Sequence, residues 1–134
     1  MTSLKRLLVV EDQPQEMKLA ASAAQSIGIA DVEGRTSIRG AREYLESGLR
    51  GERELPDGIV LDLDLGYESG YELLRYWHST PQLAAIPLIV WSILGEQREM
   101  CRLFKVTRFV GKWEGEEALR EALCSLTQSS PEEL

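Results

Sequence analysis

The sequence predicts a doubly wound α/β domain, in which helices cover both faces of a parallel sheet. Five short apolar runs alternate with amphipathic stretches along the 134 residues. This alternation in a chain of one-domain length favours a single sheet with right-handed crossovers. The first, third and fourth runs lack a period of two, which is typical of strands buried on both faces. The predicted strands are Leu7–Val10, Ala30–Glu33, Gly58–Leu61, Leu88–Trp91 and Arg108–Val110.

The stretches between these strands carry apolar residues at helical spacing. Met17, Ala20, Ala24 and Ile27 fall on one face of a predicted helix, and Gly28 follows as a stop signal. The other predicted helical segments are Ala41–Leu49, a helix opening at Ser69 with the Ser-x-x-Glu spacing of a capping box, Glu96–Phe104 and Leu119–Leu126. Before the third strand, Glu46–Pro56 is expected to be a long polar connection.

The composition is that of an acidic globular protein. Hydrophobic residues make up 43% of the chain, and the formal net charge of −7 argues against direct DNA binding. The apolar runs are too short to span a bilayer. Cys101 and Cys124 form no CxxC pair, so we expect buried or half-buried thiols. We therefore expect a cytoplasmic protein without membrane contact, with one domain over residues 1–128 and a flexible tail at 129–134.

Polar residues follow the strands at the edge where open α/β sheets bind ligands. Glu11 and Asp12 end the first strand, Asp62 ends the third, Ser92 the fourth and Lys112 the fifth. Three carboxylates at one edge would repel each other unless a cation joined them. Their oxygens are the hard ligands that Mg2+ prefers, with Mn2+ as an alternative.

Such a site can transfer a phosphoryl group. A carboxylate beside Mg2+ can attack phosphorus and become an aspartyl phosphate, and Lys112 and Ser92 would supply a cation and a hydroxyl to the transferring oxygens. Simpler explanations exist for each residue alone: Glu11 and Asp12 would also suit the cap of a helix beginning near Pro14. An aspartate that ends a strand is more often a turn residue.

Four segments resemble the signature segments of response regulator receiver domains from two-component systems. The resemblance covers the chain from Leu4 to about Leu126. It implies a flavodoxin-like three-layer sandwich with five parallel strands in the order 2-1-3-4-5. The segments are Leu7–Pro14, Ile59–Leu65 with Ser69–Leu74, Ile86–Ser92 and Phe109–Lys112.

The resemblance implies a role for each residue at the strand ends. Asp62 matches the phosphoacceptor, and Lys112 matches the lysine that contacts the phosphoryl group. Ser92 matches the hydroxyl that shifts towards the phosphate, and Phe109 matches the switch aromatic that turns inward with it. The metal ligands that it implies are Glu11, Asp12, Asp62 and the backbone carbonyl of Asp64.

The implied function is that of a single-domain response regulator. A sensor histidine kinase or phosphotransfer protein would donate the phosphoryl group, and protein contact would carry the signal to an unidentified target, with a homodimer as one arrangement. No enzymatic activity is expected beyond self-phosphorylation from a donor and autodephosphorylation. The long connection before Pro56 and the absence of a proline after Lys112 are similar to single-domain receivers that serve bacteriophytochrome-type kinases.

The sequence also departs from the receiver pattern. Trp113 stands where the family usually has a cis-proline, which predicts either a trans bond or strain, and Ile93 replaces a small residue. These two departures leave open a receiver-like interaction module that is not phosphorylated. The Asp62-Leu63-Asp64 motif also resembles the DxD of haloacid-dehalogenase-like phosphatases, but that family needs further acidic motifs well downstream.

Overall fold

A computed structural model describes residues 4–128, which form a parallel sheet between two layers of helices. The predicted tail at 129–134 lies outside the described residues. The strands are β1 (Arg6–Val10), β2 (Asp31–Arg35), β3 (Gly58–Leu61), β4 (Leu88–Ser92) and β5 (Arg108–Gly111). The helices are α1 (Pro14–Ser26), α2 (Ile38–Leu49), α3 (Tyr71–Ser79), α4 (Gln97–Leu103) and α5 (Glu116–Gln128). Shorter elements are a hairpin of Asp64–Leu65 with Glu68–Ser69, a helical turn at Pro81–Ala84 and a 3-10 turn at Lys112–Glu114.

The sheet has the expected order β2-β1-β3-β4-β5, and all its strand pairs are parallel. Val10 pairs with Leu61, and Leu61 pairs with Val90. The carboxyl ends of the central strands therefore meet at one edge of the sheet. This register brings the residues that follow β1 and β3 side by side.

Each face of the sheet has its own apolar core. Side chains alternate between the faces along a strand, so Leu8 and Val10 pack on the side of α2 and α3, while Leu7 and Val9 pack on the side of α1 and α5. Every residue of β3 and β4 is buried. Burial on both faces explains why these strands lack a period of two in the sequence.

Strand β2 begins one residue later than the sequence predicts and extends to Arg35. It is an edge strand whose residues are half-buried or exposed, so no apolar run marks its bounds. Hydrogen bonding sets its start instead: the Asp31 amide donates to the Lys5 carbonyl at 3.2 Å, and the Asp31 carboxylate accepts from Arg6 at 2.8 Å.

One local prediction is wrong, and the bounds of another are too wide. The Ser-x-x-Glu spacing does not form a capping box, because Ser69 belongs to the hairpin and α3 begins at Tyr71 after Gly70. The Ser69 hydroxyl accepts from the Tyr71 amide at 3.2 Å instead. The polar connection before Pro56 begins at Arg50 rather than at Glu46, since α2 continues to Leu49 as its apolar spacing predicts. Across residues 4–128, the helices are too short or too polar to cross a membrane.

Candidate functional site

Three acidic side chains gather at the carboxyl edge of the sheet. Glu11 and Asp12 follow β1, and Asp62 follows β3; each offers a carboxylate oxygen that lies within 4.8 Å of the other two. Strand pairing holds them there, since the Asp62 amide donates to the Val10 carbonyl at 3.0 Å. Glu11 and Asp62 are only 1% and 4% exposed, so water screens their charges poorly.

Helix capping does not explain this cluster. The N-cap residue of α1 is Gln13, and Pro14 occupies the first turn. Glu11 accepts a hydrogen bond from the Gln13 amide at 3.2 Å, but Asp12 is not the cap. The simpler explanation of the acidic pair as a cap is therefore wrong for Asp12.

Lys112 brings a positive charge to the cluster. Its Nζ lies 2.8 Å from Glu11 Oε1 and 3.2 Å from Asp62 Oδ2, and it also pairs with Glu16 in the first turn of α1. The Lys112 side chain is 9% exposed and its Nζ lies 4.7 Å from the centre of the Trp91 ring. In the part of the chain that is described, no other Lys or Arg forms an ion pair with these carboxylates, so negative charge remains in excess.

Burial opposes ionisation of the two most enclosed carboxyl groups. It raises the pKa of Glu11 to about 7, although the hydrogen bond from Lys112 acts in the opposite direction. Burial also raises the pKa of Asp62, against the hydrogen bond from the Asp64 amide and the charge of Lys112. For Lys112, burial lowers the pKa, but the hydrogen bonds to Glu11 and Glu16 outweigh it and leave the pKa raised. A cation bound between the carboxylates would favour their ionised forms.

A cavity of about 300 Å³ opens above this cluster. Asp12, Asp62 and Lys112 contribute to its polar wall, and Ile93 forms an apolar wall. Gly66, in the turn of the hairpin, completes one side with a φ of +71°, and a Cβ added there would lie 3.3 Å from Asp12 Oδ2. Glycine therefore lets the hairpin approach the acidic site closely.

Asp64 lies beside the predicted phosphoacceptor. Its amide donates to Asp62 Oδ1 at 3.0 Å, which fixes the orientation of that carboxylate, and its own side chain is exposed at the cavity wall. The role of the Asp64 carbonyl as a metal ligand stays a prediction.

The two predicted switch residues contact α4 rather than the cavity. The Ser92 hydroxyl is fully buried, donates to Gln97 Oε1 at 2.5 Å and accepts from the Leu94 amide at 3.2 Å. Phe109 is half-buried, and the Arg98 guanidinium lies 4.6 Å from the centre of its ring. Neither of the two lines the cavity above Asp62.

Solved structures share this architecture. The phosphorylated cyanobacterial phytochrome response regulator RcpA is 26% identical, with a TM-score of 0.78 over 93% of this chain and 94% of that chain. The bacteriophytochrome response regulator RtBRR is 26% identical, with a TM-score of 0.77 over 92% of this chain and 78% of that one. This chain has the receiver-domain fold of response regulators. The Mn2+-bound form of the response regulator Rcp1 shares the fold at 21% identity, with a TM-score of 0.75 over 90% of this chain and 91% of that chain. The sequence matches no protein-family model and no curated protein.

This receiver fold accommodates Trp113 without a cis bond. The Lys112–Trp113 bond is trans, and the chain continues as a 3-10 turn to Glu114, whose carboxylate accepts from the Gly111 amide at 2.8 Å. The Trp113 ring lies against the end of β5, where a Cβ added to Gly111 would be 2.3 Å from it. Trp113 is exposed, at 59%, and Trp91 is buried.

Sequence reasoning missed three residues that contact the receiver site. Glu16 had a detectable signal, because it is an acidic residue in the first turn of the helix that follows the acidic pair. Gln97 and Arg98 had none, since they begin a charged segment without apolar periodicity. Their contacts with Ser92 and Phe109 depend on how α4 packs beside β5.

Proposed function

We propose that this protein is a single-domain response regulator, which accepts a phosphoryl group on Asp62 in a Mg2+-dependent reaction. A sensor histidine kinase or a phosphotransfer protein would be the donor. One observation carries the proposal: Asp62 is buried beside Glu11 and Asp12, and its Oδ2 lies 3.2 Å from Lys112 Nζ. The 26% identity to RcpA, a response regulator solved in its phosphorylated form, supports it.

The acidic cluster fits a hard divalent cation. Glu11, Asp12 and Asp62 provide oxygen ligands and carry more negative charge than Lys112 balances. Mg2+ usually keeps several waters beside one or two protein carboxylates, and Mn2+ accepts the same ligands. Bound there, the cation would neutralise charge that develops on the transferring oxygens. The Mn2+ in the Rcp1 structure supports a divalent cation for this fold.

The side chains of the chain itself would carry out the remaining steps. An Asp62 carboxylate oxygen attacks phosphorus, the P–N bond to the donor histidine breaks, and its electron pair leaves with the imidazole. The Asp64 amide holds Asp62 Oδ1 at 3.0 Å and so orients the attacking carboxylate. Lys112, already beside Asp62, would pair with the phosphoryl oxygens.

Phosphorylation is tested with a small phosphodonor and Mg2+, followed by intact-mass spectrometry. We expect the wild-type protein to gain one acid-labile phosphoryl group and Asp62→Asn to gain none. Asp57→Asn is a matched control, because Asp57 precedes the same strand at the opposite edge of the sheet. Normal modification of the Asp62→Asn variant would assign the acceptor to another residue.

We also propose that signalling proceeds by protein contact at the α4 side of the domain. Leu103 and Met100 are 72% and 47% exposed on α4, and Trp113 is exposed nearby. Exposed apolar side chains on and near α4 favour a protein interface, either with a target or with a second copy of the chain. Sedimentation of the protein with and without beryllofluoride would test the homodimer.

A receiver-like module without phosphorylation is the second candidate. It is favoured by the Ser92 hydroxyl, which is bonded to Gln97 and does not line the cavity. This candidate predicts that no phosphodonor modifies the protein, while an exposed surface still binds its partner. A haloacid-dehalogenase-like phosphatase would instead turn over p-nitrophenyl phosphate.

A further inference from the structure

The Ser92 hydroxyl has a single proton to donate, and that proton is already committed. A hydroxyl offers one O–H donor and accepts through its oxygen. Ser92 Oγ accepts from the Leu94 amide at 3.2 Å and lies 2.5 Å from Gln97 Oε1. Because a carbonyl oxygen only accepts, the hydroxyl is the donor in the bond to Gln97. Ser92 is 0% exposed, so water does not compete for this proton.

Ser92 nevertheless lies at the edge of the sheet that carries the acidic site. It ends β4, the neighbour of the strand that precedes Asp62, and it pairs with Gly111, the residue before Lys112. The next residue, Ile93, lines the cavity above Asp62. The hydroxyl is therefore buried close to the cavity, but it donates its hydrogen bond to Gln97, which does not line the cavity.

The start of α4 holds the Gln97 acceptor in place. Gln97 is the first residue of this helix, and the next residue, Arg98, stacks on Phe109. Arg98 also lies 3.7 Å from Glu114 Oε2, the oxygen that accepts from the Gly111 amide. Gln97 thus fastens the first turn of α4 to the end of β4, and Arg98 fastens it to the strand and loop that carry Lys112.

We propose that Gln97 is a positioning residue that competes with phosphorylated Asp62 for the Ser92 hydroxyl. The bond to Gln97 must break before Ser92 donates to a phosphoryl oxygen, so Gln97 opposes the phosphorylated state. Breaking it also releases the contact of Gln97 with β4 and leaves only those of Arg98 with Phe109 and Glu114 among the side-chain contacts described above. This inference rests on the proposed function and identifies a residue that would regulate the same site.

The affinity for beryllofluoride, measured with Mg2+ present, tests the competition. Gln97→Met keeps the length of the side chain but removes the acceptor. One hydrogen bond to a neutral acceptor corresponds to a change of about threefold to tenfold. We expect Gln97→Met to bind beryllofluoride tighter by that factor. Glu99→Met is a control on the same helix, exposed and paired with Arg102, and should leave the affinity unchanged.

A double-mutant cycle separates competition from a general loosening of α4. In a Ser92→Ala background there is no hydroxyl to release, so Gln97→Met should no longer change the affinity. An equal gain in both backgrounds would overturn the inference. A loss of affinity in Gln97→Met alone would overturn it too, because Gln97 would then favour the bound state.

The same four proteins, unfolded by urea without ligand, distinguish the inference from the function on which it rests. Coupling between Ser92→Ala and Gln97→Met in this experiment reports the hydrogen bond itself. If the unfolding cycle shows that coupling but wild-type protein binds no beryllofluoride, the proposed function fails and the competition fails with it. If wild-type protein binds beryllofluoride but the cycle of binding affinities shows no coupling between Ser92→Ala and Gln97→Met, only the inference fails.

Discussion

The acidic side of the candidate site and its predicted switch side differ in how completely they are assembled. Asp12, Asp62 and Lys112 already surround one cavity, and Lys112 is ion-paired with Asp62. Ser92 and Phe109 instead contact residues at the start of α4. The residues that follow paired strands are thus already gathered around Asp62. Ser92 and Phe109 are instead held by residues of α4, and they would have to leave these contacts to respond to a phosphoryl group on Asp62. The difference supports the proposal that paired strands preassemble the phosphoryl-accepting residues, while α4 holds the residues that would respond to phosphorylation.

The largest effect on stability is expected from removing Lys112 from the acidic side. Lys112→Met leaves Glu11 and Asp62 buried without their cation, which should lower the free energy of unfolding by about 3 kcal/mol in the presence of a chelator. Saturating Mg2+ should restore part of the loss. Urea unfolding with and without Mg2+ measures both, with Lys18→Met on the exposed face of α1 as the control. An equal loss for the two variants would contradict the preassembled charge cluster.

A slightly smaller effect is expected from the metal itself. Wild-type protein should gain about 2.7 kcal/mol of stability when Mg2+ is present at one hundred times its dissociation constant. Asp12→Asn should lose most of this gain yet unfold normally without Mg2+, because Asp12 is not the cap of α1. The measurement is the shift of the thermal midpoint with Mg2+. The same shift in Asp12→Asn would remove this carboxylate from the ligand set.

The loop after β5 can be tested by crowding it. Gly111→Ala places a Cβ 2.3 Å from the Trp113 ring, so the ring must move, at a cost of about 1–3 kcal/mol if it cannot adapt. The φ of Gly111 is −77°, so the backbone itself accepts alanine. Adding Trp113→Ala should remove the cost. Urea unfolding of the single and double variants decides, and a persistent loss in the double variant would place the conflict elsewhere.

The smallest effect is expected on the switch side. Arg98→Ala removes the stacking on Phe109 and the contact with Glu114, both at a partly exposed position, which should cost about 0.5–1 kcal/mol. Mg2+ affinity should stay unchanged, because Arg98 does not line the acidic cavity. Calorimetric titration with Mg2+ measures this, and Arg102→Ala on the same helix is the control. A lower Mg2+ affinity in Arg98→Ala would show that the acidic side and the switch side are energetically coupled, against the comparison.

The sequence predicted the buried parts of the fold better than the edges. Strand β3 was predicted with its observed bounds, because every one of its residues is buried and apolar. The bounds of β2 were less accurate, since half-buried edge residues leave no apolar pattern. The prediction of a capping box at Ser69 was wrong for a different reason: Ser69 belongs to the second strand of a short hairpin, and the helix begins two residues later. Short elements of this kind depend on tertiary contacts more than on local preference.

By itself, the sequence determined which residues reach the carboxyl edge of the sheet. Glu11, Asp62 and Lys112 each follow an apolar run, and parallel pairing brings the ends of such runs together regardless of the loops between them. Only the tertiary structure decided what the side chains do once there. Whether Ser92 faces a phosphate or Gln97 depends on where α4 packs, and that position follows from contacts between residues far apart in the chain, which no local pattern encodes.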